Sequence, residues 1–446
     1  MRVAFIVQRY GPEVLGGAEH LCRLVAERLA ATHDVEVLTT CARDYVTWAN
    51  EYPEGVDRVR GVTVRRFPTA MTRDIESFNR LSDRIFADGK HSRADEMEWI
   101  KQQGPWVPAL IEHLKRNQQQ FDVLVFFTYL YAPTVLGLDI APQRSVLVPT
   151  AHDEPAIRLD IFKEVFAKPA AFAFLTESER QFVDDTFGDR PLLEEVIGIG
   201  IELPQHHPYP RIPAAADEPA DDGEAADRPG IDGPGGADGD GAEEDAARSY
   251  PSHLTARGAV FRRRHRLHGP LLLYGGRIDP GKGCEELLHY FSEYLGEGAG
   301  AAEATLVLMG AKMMSLPEDP AVRFAGMLSE REKFQALEAA TVVVCPSPYE
   351  SLSILALEAM AVGTPVLGNA RSAVVVEHCV RSNAGLYYAD RDEFVESLTL
   401  LMNDERLRAA LGRNGRDYVR KNYRWDVVLG KYERIFAKIK NARGSG

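Results

Sequence analysis

One glycine-rich segment of the chain carries two cations within a single turn. It reads Leu273-Tyr274-Gly275-Gly276-Arg277-Ile278-Asp279-Pro280-Gly281-Lys282-Gly283. Glycines let a backbone approach a ligand closely, and the N-terminus of a following helix adds partial positive charge. Arg277 and Lys282 supply the full charges that neutralise a diphosphate. The segment therefore predicts a phosphate-binding turn between a buried strand and a helix.

The same turn invites comparison with a nucleotide-hydrolysing P-loop. Gly276 to Lys282 has the Gly-x4-Gly-Lys spacing of that motif. The next residue is Gly283, whereas a P-loop places Ser or Thr there to bind magnesium. The missing hydroxyl argues against an NTPase. A structural turn with solvated charges remains the other alternative.

A second segment carries two glutamates eight residues apart. It reads Pro346-Ser347-Pro348-Tyr349-Glu350-Ser351-Leu352-Ser353-Ile354-Leu355-Ala356-Leu357-Glu358-Ala359-Met360-Ala361-Val362-Gly363-Thr364-Pro365-Val366. We expect Glu350 where a loop meets a helix, and Glu358 inside that helix among apolar residues, where a carboxylate needs a partner. Eight helical residues span about 12 Å, comparable to the separation of the hexose and the ribose in a nucleotide sugar. A surface glutamate is the ordinary alternative for either residue alone, but both beside a basic turn favour a sugar-nucleotide site.

These two segments resemble the signature of glycosyltransferase family 4, the retaining group 1 transferases of the GT-B fold. The resemblance implies that Arg277 and Lys282 bind the donor diphosphate. It further implies that Glu350 lies near the transferred sugar and that Glu358 binds the ribose hydroxyls. The implied reaction moves a hexose from a UDP- or GDP-sugar to an acceptor hydroxyl, in glycan, glycolipid or cell-envelope biosynthesis, with retention of anomeric configuration and with no cofactor and no metal ion.

Further positions match the family outside the two motifs. Its Gly-Gly-x-Glu loop is present as Gly16-Gly17-Ala18-Glu19, before an expected helix from His20 to Ala31. His152 follows an expected strand and resembles the histidine at the donor sugar, so it joins Arg277, Lys282 and Glu350 as a predicted catalytic residue. The predicted donor-binding residues are Gly16, Gly17, Gly276, Gly310, Leu328, Ser351, Leu352, Ser353, Ile354 and Glu358. Ser178 and Gly200 match less specific positions.

Two departures from the family pattern concern the donor sugar. The family usually has Gly where this chain has Ser353. It also usually has a Gly-Gly-x-Pro-Glu loop where this chain has Gly368-Asn369-Ala370-Arg371-Ser372-Ala373. Both changes bear on which sugar is transferred more than on the class of reaction.

Short apolar runs alternate with helical stretches on both sides of an acidic segment, and such runs are typical of strands buried on both faces. The expected strands are Val3 to Val7, Val35 to Leu38, Val62 to Phe67, Val123 to Phe127, Ser145 to Val148, Ala171 to Leu175, Leu271 to Tyr274, Thr305 to Met309, Val342 to Cys345 and Pro365 to Leu367; helices are expected over Cys284 to Leu295 and Arg331 to Ala339. The fold class is therefore α/β. With the resemblance it becomes GT-B, two Rossmann-like parallel-sheet domains facing each other across a cleft.

The predicted domains follow from this alternation. Residues 1–204 form an N-terminal acceptor-binding domain, 205–253 an acidic linker, and 254–421 a C-terminal donor-binding domain. A final helix over about 422–441 is expected to pack back on the N-terminal domain, as in the family.

The acidic segment from Pro213 to Ala247 holds most of the chain's formal charge of −14, with twelve acidic residues against one arginine. It has almost no large apolar residues, so we predict that it is disordered. Its Asp238-Gly239-Asp240 has the form of a metal-binding motif, but in an acidic run this short pattern is expected by chance.

Composition narrows the class of protein further. The 446 residues, 45% of them hydrophobic, suit two domains, and no apolar run is long enough for a membrane span or a signal peptide. We therefore expect a cytoplasmic protein, with peripheral membrane contact through the N-terminal domain left open, and five scattered cysteines that are reduced. The expected partners are a nucleotide sugar and a sugar, lipid-linked or small-molecule acceptor, and no nucleic acid. The stretch from Ala70 to Gly104, with Trp99 and nearby Trp106, leaves acceptor wall, membrane contact and core all open. A GT-B epimerase or phosphorylase and a non-catalytic nucleotide-sugar sensor are the alternative functions.

Overall fold

Two open sheets organise the chain. The computed structural model describes residues 1–14, 16–88, 90–188, 193–203, 255–296 and 304–444. The predicted disordered segment and its Asp238-Gly239-Asp240 lie outside these described residues, as does the whole of the predicted linker.

The first sheet has eight strands. They are β1 (Arg2–Ile6), β2 (Asp34–Thr40), β3 (Gly55–Val59), β4 (Val62–Phe67), β5 (Val123–Phe127), β6 (Ser145–Val148), β7 (Ala171–Phe174) and β8 (Leu193–Val196). Their order is β3-β4-β2-β1-β5-β6-β7-β8, and all neighbours are parallel except the β3–β4 pair. This hairpin turns through Arg60 and Gly61, both with positive φ, which suits the twist of a tight hairpin. One antiparallel strand thus extends the predicted parallel sheet at its edge.

The second sheet has six strands, all parallel. They are β9 (Leu271–Gly275), β10 (Thr305–Met309), β11 (Val322–Gly326), β12 (Val342–Cys345), β13 (Val366–Asn369) and β14 (Gly385–Tyr388). Their order is β11-β10-β9-β12-β13-β14. The two parallel-sheet α/β domains predicted from the sequence are confirmed.

Helices cover both sheets. With the first sheet come α1 (Gly17–Leu29), α2 (Ile75–Asp88), α3 (Arg93–Gln103), α4 (Pro108–Asn117), α5 (Ala132–Gly137), α6 (Asp160–Ala167) and α7 (Glu177–Phe187). The second part of the chain has α8 (Ala256–His265), α9 (Cys284–Gly296), α10 (Glu330–Ala339), α11 (Ile354–Val362), α12 (Ala373–Ser382), α13 (Arg391–Asn403), α14 (Glu405–Asn422) and α15 (Trp425–Gly444). Because both faces of each sheet are covered, the central strands are buried along most of their length and their sequences are largely apolar.

The last helix, α15, leaves the second sheet and packs against α1, β5, β7 and β8 of the first. Tyr432, Phe436 and Ile439 on this helix are buried. Lys431 Nζ donates a hydrogen bond of 2.9 Å to the Val196 carbonyl oxygen at the end of β8. The C-terminus of the chain therefore completes the core of the first domain.

The unassigned stretch after Ala70 forms α2 and α3 in the core of the first domain. Trp99 is 3% exposed, packs against Phe78 and Phe86, and donates through Nε1 to Ser82 Oγ at 2.9 Å. This tryptophan is a core residue. In the part of the chain that the structure describes, no helix combines the length and hydrophobicity that crossing a bilayer requires.

Candidate active site

The two chemical motifs lie side by side at the point where the strand order of the second sheet reverses. The chain runs from β9 outward through β10 to β11, and later from β12 outward through β13 to β14. The loops after β9 and β12, Gly276 to Gly283 and Pro346 to Ser353, therefore flank one crevice. Open α/β sheets bind ligands at such a switch point, outside the carboxyl ends of their strands.

The two loops also touch. Gly283 has a φ of 74° and sits against the Pro346 carbonyl, where an added Cβ would collide with the carbonyl oxygen. Only glycine meets both demands at this position. The Ser or Thr of a P-loop is therefore excluded sterically as well as chemically.

A cavity of about 220 Å³ opens over this crevice and is closed from the other side by the first domain. Gly17, Ala18, Leu21, Thr150 and Leu175 line it from the first domain. The predicted site residues among its lining are Gly17, Gly276, Arg277, Lys282, Glu350, Ser351, Leu352, Ser353 and Ile354. Gly16, His152, Gly310, Leu328 and Glu358 are not part of that lining.

Lys282 and Glu350 form an ion pair inside the cavity. The Lys282 ammonium lies 2.8 Å from Glu350 Oε1 and 3.5 Å from Ser347 Oγ. A 3-10 turn, Pro280–Lys282, presents the lysine, and Asp279 Oδ1 caps it by accepting from the Lys282 backbone nitrogen at 3.0 Å. One cation and one carboxylate from the two motifs thus face each other at the cavity wall.

Arg277 reaches across the cleft. Its Nη1 donates a hydrogen bond of 3.1 Å to the hydroxyl of Tyr45 in the first domain, and its Nε lies 3.4 Å from Asp279 Oδ2. Tyr274 stabilises the turn, because its hydroxyl donates a hydrogen bond of 2.6 Å to the Arg277 carbonyl oxygen. The guanidinium is about half exposed, so it remains accessible to an anionic ligand.

Glu358 lies deeper than Glu350 and in a different setting. The helix α11 begins only at Ile354, so Glu350 belongs to the loop and the helical rise applies to only half of the interval between the two glutamates. The predicted spacing of eight helical residues was wrong in this respect. Glu358 is 7% exposed and pairs with Lys333 of α10 at 2.6 Å, one helical turn beyond the cavity lining at Ile354.

The other predicted residues outside the lining have identifiable roles in the fold. Gly310 packs against the Gly276 backbone so closely that any side chain would displace the turn. Gly16 precedes α1 and lies against the Glu19 carboxylate. Leu328 packs, half-buried, against the core.

His152 follows β6 in the first domain, as predicted, and approaches the second domain. Its Nε2 lies 3.7 Å from Glu154 Oε2, and its ring centroid is 6.3 Å from that of Tyr349 in the loop after β12. Its buried Nδ1 has no hydrogen-bond partner among the described residues. The histidine therefore lies beside the loop after β12, outside the cavity lining.

Sequence reasoning missed a carboxylate that supports the His152 loop. Glu179 of α7 is buried and accepts hydrogen bonds from the backbone nitrogens of Ala151 and Leu175, each at 2.6 Å. Burial raises the pKa of Glu179 to about 8, against the effect of those two hydrogen bonds. The pattern Thr176-x-x-Glu179 at a helix start is that of a capping box, which would direct the carboxylate to the Thr176 backbone nitrogen and not to Ala151 and Leu175.

A second missed residue connects the domains. Glu377 of α12 accepts hydrogen bonds from the backbone nitrogens of Glu177 (3.2 Å) and Ser178 (2.6 Å) at the start of α7. A carboxylate at a helix N-terminus complements the partial positive charge there. No local signal marked this contact, since its partners are far apart in sequence.

Within the described residues, no group of three or more His, Cys, Asp or Glu side chains is arranged to hold a metal ion. The cations at the cavity are instead the side chains of Arg277 and Lys282. The site thus offers two positive groups, one carboxylate and several backbone amides to a ligand.

The family assignment rests on the second domain. Residues 269–404 match the family model described as "Glycosyl transferases group 1". In this part the chain is similar to the group 1 glycosyltransferases. Both chemical motifs of the cavity fall inside the matched residues.

Among curated relatives, the D-inositol 3-phosphate glycosyltransferase of Corynebacterium efficiens is 25% identical over 194 residues. The match covers 40% of this chain and 45% of the relative. The chain spans less than half the length of the first curated relatives that it matches.

Solved structures extend the similarity to the whole fold. The sucrose-phosphate synthase of Thermosynechococcus elongatus has a TM-score of 0.65 at 17% identity and covers 99% of both chains. Anabaena HepE, in complex with UDP and glucose, has a TM-score of 0.64 at 13% identity, over 98% of this chain and 100% of that chain. The chain therefore has the GT-B fold.

Proposed function

We propose that the protein transfers a hexose from a UDP- or GDP-sugar to an acceptor hydroxyl, with retention of configuration and without a metal ion. The single observation that carries this proposal is the cavity at the switch point, where Arg277, Lys282 and Glu350 face one space. The HepE complex with UDP and glucose supports the donor class, and the 25% identical D-inositol 3-phosphate glycosyltransferase supports glycosyl transfer. The acceptor is a hydroxyl compound whose site lies on the first domain.

The cations act on the leaving group. When the bond between the anomeric carbon and the diphosphate breaks, negative charge grows on the phosphate oxygen, and Arg277 and Lys282 stabilise it. Positioned charges at the place where charge develops are a large source of catalysis. The Lys282 ammonium has three donors, so its bonds to Glu350 and Ser347 leave one for a phosphate oxygen.

The acceptor oxygen forms its new bond to the anomeric carbon on the face that the diphosphate leaves. Its proton passes to the leaving phosphate oxygen, so no side chain needs to act as general base. Glu350 positions Lys282 and lies beside the expected place of the hexose. Its other oxygen can therefore accept a hydrogen bond from a sugar hydroxyl. Closure of the two domains then excludes water from the donor.

Binding of the donor is tested by thermal shift with UDP, GDP and a panel of their sugars, because a bound donor stabilises the native state by mass action. The reaction is tested with the best donor and a panel of sugar and polyol acceptors, with and without EDTA. We expect an α-linked product from an α-linked donor, by NMR of the anomeric proton, in both conditions. An epimerised sugar nucleotide, a sugar 1-phosphate formed with inorganic phosphate, or binding without turnover would each contradict the proposal.

A further inference from the structure

A buried ion pair lies one helical turn beyond the cavity. Lys333 Nζ of α10 is 2.6 Å from Glu358 Oε1 of α11, and it is also 2.9 Å from Glu330 Oε2 on its own helix. The side chain of Glu358 is 10% exposed and that of Lys333 is 19% exposed. Both side chains are more buried than those of an ordinary surface ion pair, so their placement requires an explanation.

The geometry leaves one oxygen of Glu358 available. Ile354 lines the cavity, and Glu358 follows it by four residues, on the same face of α11. Lys333 is its only hydrogen-bonding partner in the described ranges, and this contact uses Oε1. The second oxygen, Oε2, is thus free to accept from a ligand that extends along α11 from the cavity.

The charged groups around the pair lie on α10 and, across the cleft, on α1. Burial raises the pKa of Glu358, and the neighbouring Lys333 opposes that rise, whereas Glu330 adds to it. Across the cleft, α1 presents His20, whose pKa is lowered to about 4 by burial, Arg23 and Lys333. His20 is therefore neutral near pH 7, and Lys333 is the cation that balances the buried carboxylate.

We propose that Lys333 is a positioning residue for the donor nucleotide: it keeps the Glu358 carboxylate negatively charged and aims its free oxygen at the vicinal hydroxyls of the ribose. The inference rests on the proposed function, since it concerns how a nucleoside diphosphate is bound. A carboxylate accepts from both hydroxyls of a diol, whereas a protonated carboxyl group keeps one oxygen as a donor. Lys333 thus determines whether α11 offers the ribose an acceptor.

The test measures the affinity of the whole chain for UDP and for GDP by titration calorimetry, from about pH 6 to about pH 9, a range in which a buried carboxyl group titrates. The variants are Lys333→Met, which removes the charge, Lys333→Gln, which keeps a donor, and Lys333→Arg, which restores the charge. We expect the first two to lose about tenfold in affinity near neutral pH, the loss of one charge-assisted contact. The loss should shrink as the pH rises, because the carboxyl group then ionises without help.

Glu358→Gln provides the matched background. With the carboxylate absent, Lys333→Met should cause no further loss, so the double variant binds like Glu358→Gln alone. Lys333→Arg should restore most of the affinity. Circular dichroism and melting temperature show whether each variant is folded, and Lys333→Gln replaces Lys333→Met if the latter is not.

The outcomes separate the two proposals. If the unaltered protein binds neither UDP nor GDP, the proposed function fails. If it binds one of them and the Lys333 variants bind equally well at every pH, only the role of Lys333 is overturned. Tighter binding by Lys333→Met would also overturn it, because the lysine would then be competing with the ribose for Glu358.

Discussion

Glu179 Oε1 accepts a hydrogen bond of 2.6 Å from the backbone nitrogen of Ala151, the residue before His152. Its other oxygen accepts from Leu175 at the end of β7. A single buried carboxylate therefore ties the loop after β6 to the loop after β7, and both loops contribute to the cavity through Thr150 and Leu175. The position of His152 depends on this contact.

The Glu179 contact makes stability depend on pH. The folded-state pKa of about 8 lies above the ordinary value of 4.5, so the unfolded chain releases its proton first as the pH rises. Stability from this group is thus fully present below about pH 4.5 and is lost as the pH rises to about 8. We expect the difference in unfolding free energy between the wild type and Glu179→Gln, which does not titrate, to fall across that window in urea titrations. A difference that stays constant with pH would contradict this account.

The cations of the basic turn should dominate catalysis. Arg277→Ala or Lys282→Ala is expected to reduce kcat/KM at least about a hundredfold, which corresponds to about 2.7 kcal/mol of transition-state stabilisation. Arg331→Ala, a change at an arginine of α10 outside the cavity lining, is the control and should retain activity. Near-normal turnover in either cavity variant would show that the diphosphate is bound elsewhere.

Ser353 stores backbone strain at the start of α11. It has a φ of 55° and a ψ of 67°, the left-handed region that glycine adopts without steric cost. Ser353→Gly should therefore raise the unfolding free energy by a few tenths to about 1 kcal/mol. Loss of the weak contact between the Ser353 hydroxyl and Cys345 Sγ reduces this gain slightly. Ser353→Ala loses the hydroxyl and keeps the strain, so it should be less stable than the wild type. Equal stability of the two variants in thermal melts would argue against strain at this residue.

The Glu377 contact should hold the domains together. Burial favours a raised pKa, but hydrogen bonds from Ser178 and Arg381 keep the pKa of Glu377 below its ordinary value. Its stabilising contribution is therefore present above pH 4.5 and is lost in acid as the carboxylate takes up a proton. Glu377→Ala should increase the radius of gyration in small-angle scattering at neutral pH and raise the KM for the donor severalfold, while acid should change the variant less than the wild type.

Prediction of the fold from sequence succeeded for the buried strands and failed at the edges. Every expected strand is present within two residues of its expected bounds. The four strands that were not predicted, β3, β8, β11 and β14, are the four edge strands of the two sheets. Edge strands are half-exposed and mix polar with apolar residues, as in Gly55–Val59, so they lack the continuous apolar run that marks a central strand.

The candidate site was predictable where its residues share one turn or follow neighbouring strands of the sheet. Arg277 and Lys282 share one turn, and Glu350 follows a neighbouring strand at the same switch point, so the motif and the topology place them together. Lys333, Tyr45 and Glu377 act through partners in other elements, and neither their type nor their spacing indicates a role. Those contacts depend on how helices and domains pack, which a single sequence does not specify.

The close fit of Gly283 against the Pro346 carbonyl has a consequence for protein engineering. The loops after β9 and β12 interlock, so replacing one with the corresponding loop of a relative would leave a foreign surface against a native one. A chimaera intended to change sugar preference should exchange residues 276–283 and 346–353 as a single cassette. Exchanging only one of the two loops would measure the effect of a mismatch between them and not the chemistry of either loop.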